Sequence, residues 1–362
     1  MTAPTDTQAR VLAVRMWNSL LATQELLSMY LGVRLGLYDD LASRGPGTAS
    51  EIAGRAGVDP RYAREWLEQQ AVAGVLTVDD PNRPAARRVF TLPAAHAEVL
   101  TVTDNPVSMA ALAVLPLGGV AAALPALLAA YRSGDGVPDA VYGVDWRQGH
   151  AGANRAMFTH QLAGWLRRFA PDVHTRLTVG PARVADVACG AGWAGIGLAR
   201  SYPSITVDGF DIDPEVVADA RGHAADAGLT DRVSFVAHDA ATPDLAGRYD
   251  LVCLFDALHE IARPVEVLGT CRRLCVEGGT VLVLDARVAE RFTAPADEIE
   301  RFQYATSVLH CLPACLSQQP SAGTGTALRP DQMRRLAAEA GFAAVTQIPI
   351  GDRFHRLYRL IG

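Results

Sequence analysis

From Arg183 onward the sequence alternates between short apolar, β-branched runs and segments of helix length. This alternation constrains the fold more than any other feature. The runs are RVADVAC (183–189), ITVDGFD (205–211), RVSFVAHD (232–239), YDLVCLFD (249–256) and GTVLVLDA (279–286). Strands buried on both faces read as continuous apolar runs, and helix-length spacers between them indicate parallel pairing through crossover helices. The expected fold class is therefore α/β, a doubly wound parallel sheet. The chain has 362 residues, 49% of them hydrophobic, enough for two domains with real cores. We expect a mainly helical domain over 1–175 and the α/β domain over 176–362, with Val137 to Leu177 as a linking region.

The N-terminal part follows a different pattern. Leu20, Leu21, Leu27, Leu31 and Leu35 recur near helical spacing. In TASEIAGRAGVDPRYAREWLEQQAVAGVLTV (48–78), Thr48 or Ser50 caps a short helix and Gly57 ends it. Asp59-Pro60 then opens a second helix that runs to Gly74. The strand-like VLTV, a polar turn and RRVFTL (87–92) complete the pattern of a winged helix-turn-helix. From Thr48 to Leu92, six Arg balance six acids, and Glu65 and Glu68 stand beside Arg61 and Arg64. Duplex binding draws on phosphate neutralisation, which a balanced surface supplies poorly. The expectation is no nucleic-acid partner, with Trp66, Leu67 and Val72 packing against neighbours or a second subunit.

Composition removes several chemistries. All 33 basic residues are Arg, so a lysine Schiff base is excluded, as is a phosphate loop that needs its Lys. Six Cys are too sparse for a disulfide scaffold. With Asp6, Arg10 and Arg15 near the N-terminus, the reading is a reduced, cytoplasmic protein. Val107 to Tyr131 holds no charge. Because it contains Pro116, Gly118, Gly119 and Pro125, we expect buried helices broken near Pro116 to Pro125 rather than a membrane span. Cys271 with Cys275, and Cys311 with Cys315, read as small buried hydrophobes, and no metal site is expected.

The first strand runs into CGAGWAG, where Gly190 and Gly192 let a ligand approach the backbone at a helix N-terminus. Asp211 ends the second strand, where an acid can grip both ribose hydroxyls. Asp239 ends the third, where a carboxylate can receive an adenine amino group. The pattern alone indicates a nucleotide-type ligand, and a nicotinamide dinucleotide would also account for a glycine pair.

The stretch Arg183 to Gly362 resembles class I S-adenosylmethionine-dependent methyltransferases, whose first motif is D-x-G-C-G-x-G; here Ala188 replaces the first Gly. The resemblance implies a Rossmann-like sheet and S-adenosylmethionine as cofactor. It places Asp186, Ala188, Gly190, Gly192, Asp211, Ile212, Asp239, Ala240, Phe255 and Asp256 along that cofactor. The winged N-terminus beside LHEI (258–261) is similar to small-molecule O-methyltransferases, which dimerise through that domain. Within the superfamily the chain looks closest to actinobacterial methyltransferases that share the winged N-terminus and the LHEIARP and CLP segments. His259 then falls on the general-base position, with Asp285 as its orienting carboxylate, whereas Ile261 replaces the usual Trp. A His in this place also serves simply to pack or cap a helix.

The segment 300–326 reads as an insertion, a lid on the acceptor pocket or an ordinary packing helix. Tyr142, Trp146, Met157, Phe158, Phe302, Tyr304 and His310 are the expected pocket residues. The expected function is methyl transfer to a small-molecule acceptor by a homodimer, with O-methylation favoured. The alternatives are C- or N-methylation, a non-methylating fold-mate, and a DNA-binding regulator that responds to the cofactor.

Overall fold

The computed structural model describes residues 4–101 and 104–362, and these form two compact units. The first runs up to Gly119 and takes in Gln148–Ala153; the second comprises Val120–Arg147 and Asn154–Gly362. The division therefore falls well before residue 175, and the chain crosses it more than once. The segment expected to link the domains belongs mostly to the second unit.

In the first unit, a long helix (Pro4–Arg34) and a short one (Leu37–Arg44) precede the winged motif. The Thr48 hydroxyl accepts the Glu51 N–H, and the Glu51 carboxylate accepts the Thr48 N–H, a reciprocal cap that starts the helix Ala49–Ala56. Gly57 ends that helix in the left-handed region at φ 69°. Asp59 then caps Pro60–Val72 by accepting the N–H groups of Arg61 and Tyr62. Three short strands, Gly47–Thr48, Thr77–Val78 and Val89–Thr91, form the wing.

Trp66 and Leu67 are buried in this unit's own core with Tyr38, Ile52 and Phe90, whereas Val72 is 90% exposed. Of the three residues expected to pack against neighbours or a second subunit, only Val72 is exposed. The first helix docks through polar contacts as well as packing. The Trp66 indole donates to the Ser28 carbonyl at 2.9 Å, and Gln70 donates to the Ser28 hydroxyl at 3.1 Å.

The charge-free stretch forms one helical run, Ala110–Ser133, not a set of broken helices. A π-helical turn, Leu115–Val120, absorbs Pro116, and Pro125 lies inside the following segment. The run is long and apolar enough to cross a membrane by length and composition. Only 33% of its most apolar window is buried, so the expectation of a buried segment fails for most of it.

The second unit is built on seven strands: β1 (Ala182–Val187), β2 (Ile205–Asp211), β3 (Val233–Ala237), β4 (Tyr249–Phe255), β5 (Cys275–Ala286), β6 (Ala344–Ile348) and β7 (His355–Ile361). Their order is β3-β2-β1-β4-β5-β7-β6, parallel except for β7, which pairs antiparallel with both neighbours. All five strands read from the sequence are present. The order reverses beside β1, so the loops after β1 and β4 diverge and leave a crevice at the carboxyl edge. One face of the sheet is sealed by Val252, Leu254, Leu268, Val281, Val283 and Met333.

In the first unit, a Cβ on Gly32 would sit 2.4 Å from the Trp66 ring and 2.5 Å from the Tyr38 ring. Gly32→Ala should therefore lower stability by about 1–3 kcal/mol through overpacking, read from urea unfolding. An unchanged unfolding midpoint would show that this helix contact has slack.

Candidate active site

The loop after β1 is held by backbone donors to two carboxylates, Asp186 buried and Asp211 half-buried. Asp186, 2% exposed on β1, accepts the Gly195 N–H at 3.0 Å from within the helix Trp193–Ser201. Burial pushes its pKa up to about 7, against the stabilising Gly195 N–H. Asp211, at the end of β2, accepts the Gly190 N–H at 2.8 Å on one oxygen and the Asp213 N–H at 3.0 Å on the other. Burial raises its pKa too, opposed by those two N–H groups.

Gly190 (φ 51°) and Gly192 (φ 80°) adopt left-handed backbone, and the space over Gly190 is open. At Gly192 a Cβ would meet the Phe235 ring at 2.4 Å, so β3 presses on the turn from below. Ala188 also lies at φ 51°, so the loop keeps a glycine-like conformation despite its Cβ. Such a residue costs on the order of 1–2 kcal/mol, a strain concentrated at functional loops.

These groups converge at the carboxyl ends of β1 and β2 with Ile212, which leaves an apolar side chain 51% exposed beside Asp211. Asp239 follows β3. Its carboxylate accepts the Ala241 N–H at 2.8 Å and pairs with Arg263 at 2.5 Å, so each oxygen already carries one bond. Ala240 is buried behind it. Phe255 ends β4 and stacks on Phe158 with ring centroids 5.9 Å apart. Asp256 follows at φ 54°, with its carboxylate on the Asn154 amide and 3.8 Å from His355. The donor set suits an adenosyl amino acid. Asp211 retains acceptor capacity for hydroxyls, Gly190 leaves room for a tail, and the Trp193–Ser201 helix presents its N-terminus.

His259 follows β4 and is 4% exposed. Its Nδ1 lies 2.9 Å from Oδ1 of Asp285 on β5, so the two residues picked from the sequence do meet. The other oxygen, Asp285 Oδ2, is buried with no hydrogen-bond partner among the described residues. Burial opposes charge on His259, yet the Asp285 carboxylate beside it holds the pKa well above 6.5. Nε2 lies 3.5 Å from Glu260, whose carboxylate also reaches Nδ1 of His310 at 3.2 Å.

The expected pocket residues divide. Tyr142, Trp146 and His310 cluster: the Trp146 and His310 rings are 3.9 Å apart, and Tyr142 donates to the Leu309 carbonyl at 2.8 Å. Met157 and Phe158 are buried. Phe302 instead sits 50% exposed against Phe354, and Tyr304 bonds Arg329, itself paired with Glu300. The insertion is docked, since Val137 N–H donates to Pro313 and Ala322 N–H to Ala262.

The sequence did not mark Glu260, Asp139 or Cys311 as site residues. The ligand atoms of His259, Glu260 and Cys311 lie within 4.8 Å of one another, a set compatible with a metal ion. Glu260 stood in the LHEI pattern, but nothing in the sequence signals that 139 and 311 approach it. All six cysteines are free; Cys275 lies on β5, so it shares no helix face with Cys271.

Residues 181–341 match a family described as a methyltransferase domain, and residues 23–102 match one described as an Rv2258c-like winged HTH domain. The chain is a class I S-adenosylmethionine-dependent methyltransferase with an N-terminal winged-helix domain. It is 27% identical over 337 residues to rat acetylserotonin O-methyltransferase, covering 91% of this chain and 72% of that protein. The structure of human N-acetylserotonin methyltransferase in complex with SAM has a TM-score of 0.72 at 19% identity, covering 97% of this methyltransferase and 98% of that chain. That of N,N-8-amino-8-demethyl-D-riboflavin dimethyltransferase from Streptomyces davawensis has a TM-score of 0.62 at 22% identity, covering 97% and 99%. These two structures establish the fold.

The Asp186 carboxyl binds its proton more tightly folded than unfolded, since about 7 exceeds the ordinary carboxylate value near 3.9. Its contribution to stability is therefore present at low pH and declines as pH rises from about 4 to about 7. Asp186→Asn should flatten that part of the stability-versus-pH curve in thermal unfolding. A variant curve parallel to that of the unaltered methyltransferase would refute the assignment.

Proposed function

We propose that this methyltransferase acts on a hydroxyl of a small-molecule acceptor, with His259 as general base and Asp285 as its orienting carboxylate. The observation that carries this is the 2.9 Å contact between His259 Nδ1 and Asp285, both buried, His259 after β4 and Asp285 near the carboxyl end of β5. S-adenosylmethionine supplies a methyl group on a sulfonium. Asp211 is assigned to the ribose hydroxyls, the Gly190–Gly192 turn to the amino-acid tail, and Asp239 with Ala240 to the adenine edge. Ile212, Phe255 and Asp256 line the same crevice, and Asp186 and Ala188 support the turn. Tyr142, Trp146, Met157 and Phe158 are assigned to the acceptor side.

Asp285 fixes the proton of His259 on Nδ1, leaving Nε2 as the basic nitrogen. A phenol near pKa 10 is a poor match for an ordinary imidazole near 6.5, and the raised pKa of His259 narrows that gap. Methylation at nitrogen or carbon is the alternative, and a neutral amine needs no base before attack. A DNA-reading role is disfavoured because the second winged helix pairs Arg61 with Glu65 at 2.5 Å and Glu68 with Arg88 at 2.8 Å. Six free cysteines accord with a reducing compartment.

We assign pairing of two copies to the first helix. Trp17 is 64% exposed, and Leu12, Met16, Leu20, Leu21 and Leu31 are also exposed around it. Large apolar side chains exposed along one helix favour burial against a partner.

Two outcomes test these readings. His259→Ala should lower methyl transfer to a hydroxyl acceptor by about 10²–10⁴-fold, with S-adenosylhomocysteine affinity unchanged by calorimetry. In the unaltered methyltransferase the rate should rise with pH through a value above 6.5, because only the unprotonated ring accepts a proton; full activity in the Ala variant would sink the base assignment. Separately, Leu20→Asp with Leu31→Asp should convert a dimer to a monomer in light scattering. A dimer that persists would place the interface elsewhere.

A further inference from the structure

A base buried to 4% exposure must dispose of the proton it takes, and His259 has little direct access to water for doing so. Its surroundings form an ordered series of groups. Asp285 Oδ1 lies 2.9 Å from Nδ1 of His259, and Nε2 of His259 lies 3.5 Å from Oε1 of Glu260. The same Glu260 oxygen is 3.2 Å from Nδ1 of His310, whose Nε2 is 2.6 Å from Oδ1 of Asp139. Carboxylate and imidazole alternate along the whole series. Exposure changes sharply at its end: the His310 side chain is 1% exposed and that of Asp139 is 61%.

We infer that Glu260, His310 and Asp139 form a proton exit, carrying the proton taken by His259 out of the buried site to water. The inference rests on the reading of His259 as the base. In the reaction, the acceptor O–H bond breaks and its proton goes to Nε2 of His259. The new O–C bond forms as the C–S bond breaks, with its electron pair remaining on sulfur. The proton then passes to Oε1 of Glu260 and on to Nδ1 of His310, while the proton on Nε2 of His310 leaves through Asp139 to water. Exchange of His310 between tautomers restores the start, so one proton departs per methyl transferred.

The geometry suits each hop. The 2.6 Å contact is a hydrogen bond, the 3.2 Å contact is an ion-pair distance, and the 3.5 Å gap lies at the limit of a hydrogen bond. Small rotation of the Glu260 side chain closes that gap, which makes it the gated step. His310 lies between two carboxylates, with its ring tilted against Trp146, so each nitrogen of the imidazolium formed in passage faces a negative charge. Glu260 and His310 touch no substrate in this scheme and act through His259 as relay residues. Cys311 lies beside Glu260 and His259 without being needed by any hop.

The test uses the full chain labelled with nitrogen-15 histidine and saturated with S-adenosylhomocysteine. The readout is exchange of the His259 ring proton with water by NMR, with His259→Gln identifying the signal. Asp139→Asn, which keeps the His310 ring and its packing, should slow exchange by roughly tenfold or more. His310→Ala should do the same, and free imidazole should restore the rate by filling the vacated space. Unchanged exchange in both variants overturns the exit. So does slowing in His310→Ala alone without rescue, which marks a packing role, because a buried ring would then exchange only through local opening. Tight equimolar zinc binding that is lost in Cys311→Ser also overturns it, since Nε2 would be a ligand. Full methyl transfer by His259→Ala refutes the base reading by a separate measurement from these exchange rates.

Discussion

Carboxylates satisfied by backbone N–H groups hold the catalytic edge together. Asp186 and Asp211 are acidic groups raised in pKa by burial, yet each accepts hydrogen bonds from the chain that wraps it. Leaving such a group unpaired would cost several kcal/mol. The loop after β1 therefore has little choice of path: it must present Gly190 to Asp211 and Gly195 to Asp186. Once that path is set, the turn has left-handed glycines and an open face at the crevice where the strand order reverses.

The same principle extends across β4 and β5. Three carboxylates and two imidazoles follow one another at 2.6 to 3.5 Å from Asp285 to Asp139, with Asp139 alone open to water. Burial of either imidazole alone would favour its neutral form. Flanking each ring with acids reverses this, and burial likewise loses to the paired imidazoles at Glu260, whose pKa is held well below the usual range. A site of this kind can store and pass a proton, whereas an isolated buried histidine only accepts one.

The first unit shows the opposite condition. Its core is satisfied internally through Tyr38, Trp66, Leu67 and Phe90, while the first helix shows Trp17 and a run of leucines to water. On the second winged helix Arg61 pairs with Glu65, and Glu68 pairs with Arg88 beside the wing. This unit therefore shows apolar side chains to water on its first helix, while part of the charge on its second winged helix is already paired.

What the sequence determined by itself was periodic or local. The five parallel strands, the caps at Thr48 and Asp59, the glycine turn after β1 and the acids at strand ends follow from alternation and residue chemistry within a few positions. His259 with Asp285 was legible because each stands at the end of its own strand. Tertiary structure alone decided the rest. Phe302 and Tyr304 share the insertion with His310, yet they contact Phe354 and Arg329, while His310 meets Trp146. The apolar run Ala110–Ser133 stays continuous through a π turn where proline suggested a break. Asp139 and His310 meet across 171 positions of chain. No periodicity encodes such a meeting, because it is set by how the insertion docks on the helix that begins at Asp139 and not by anything either segment carries alone.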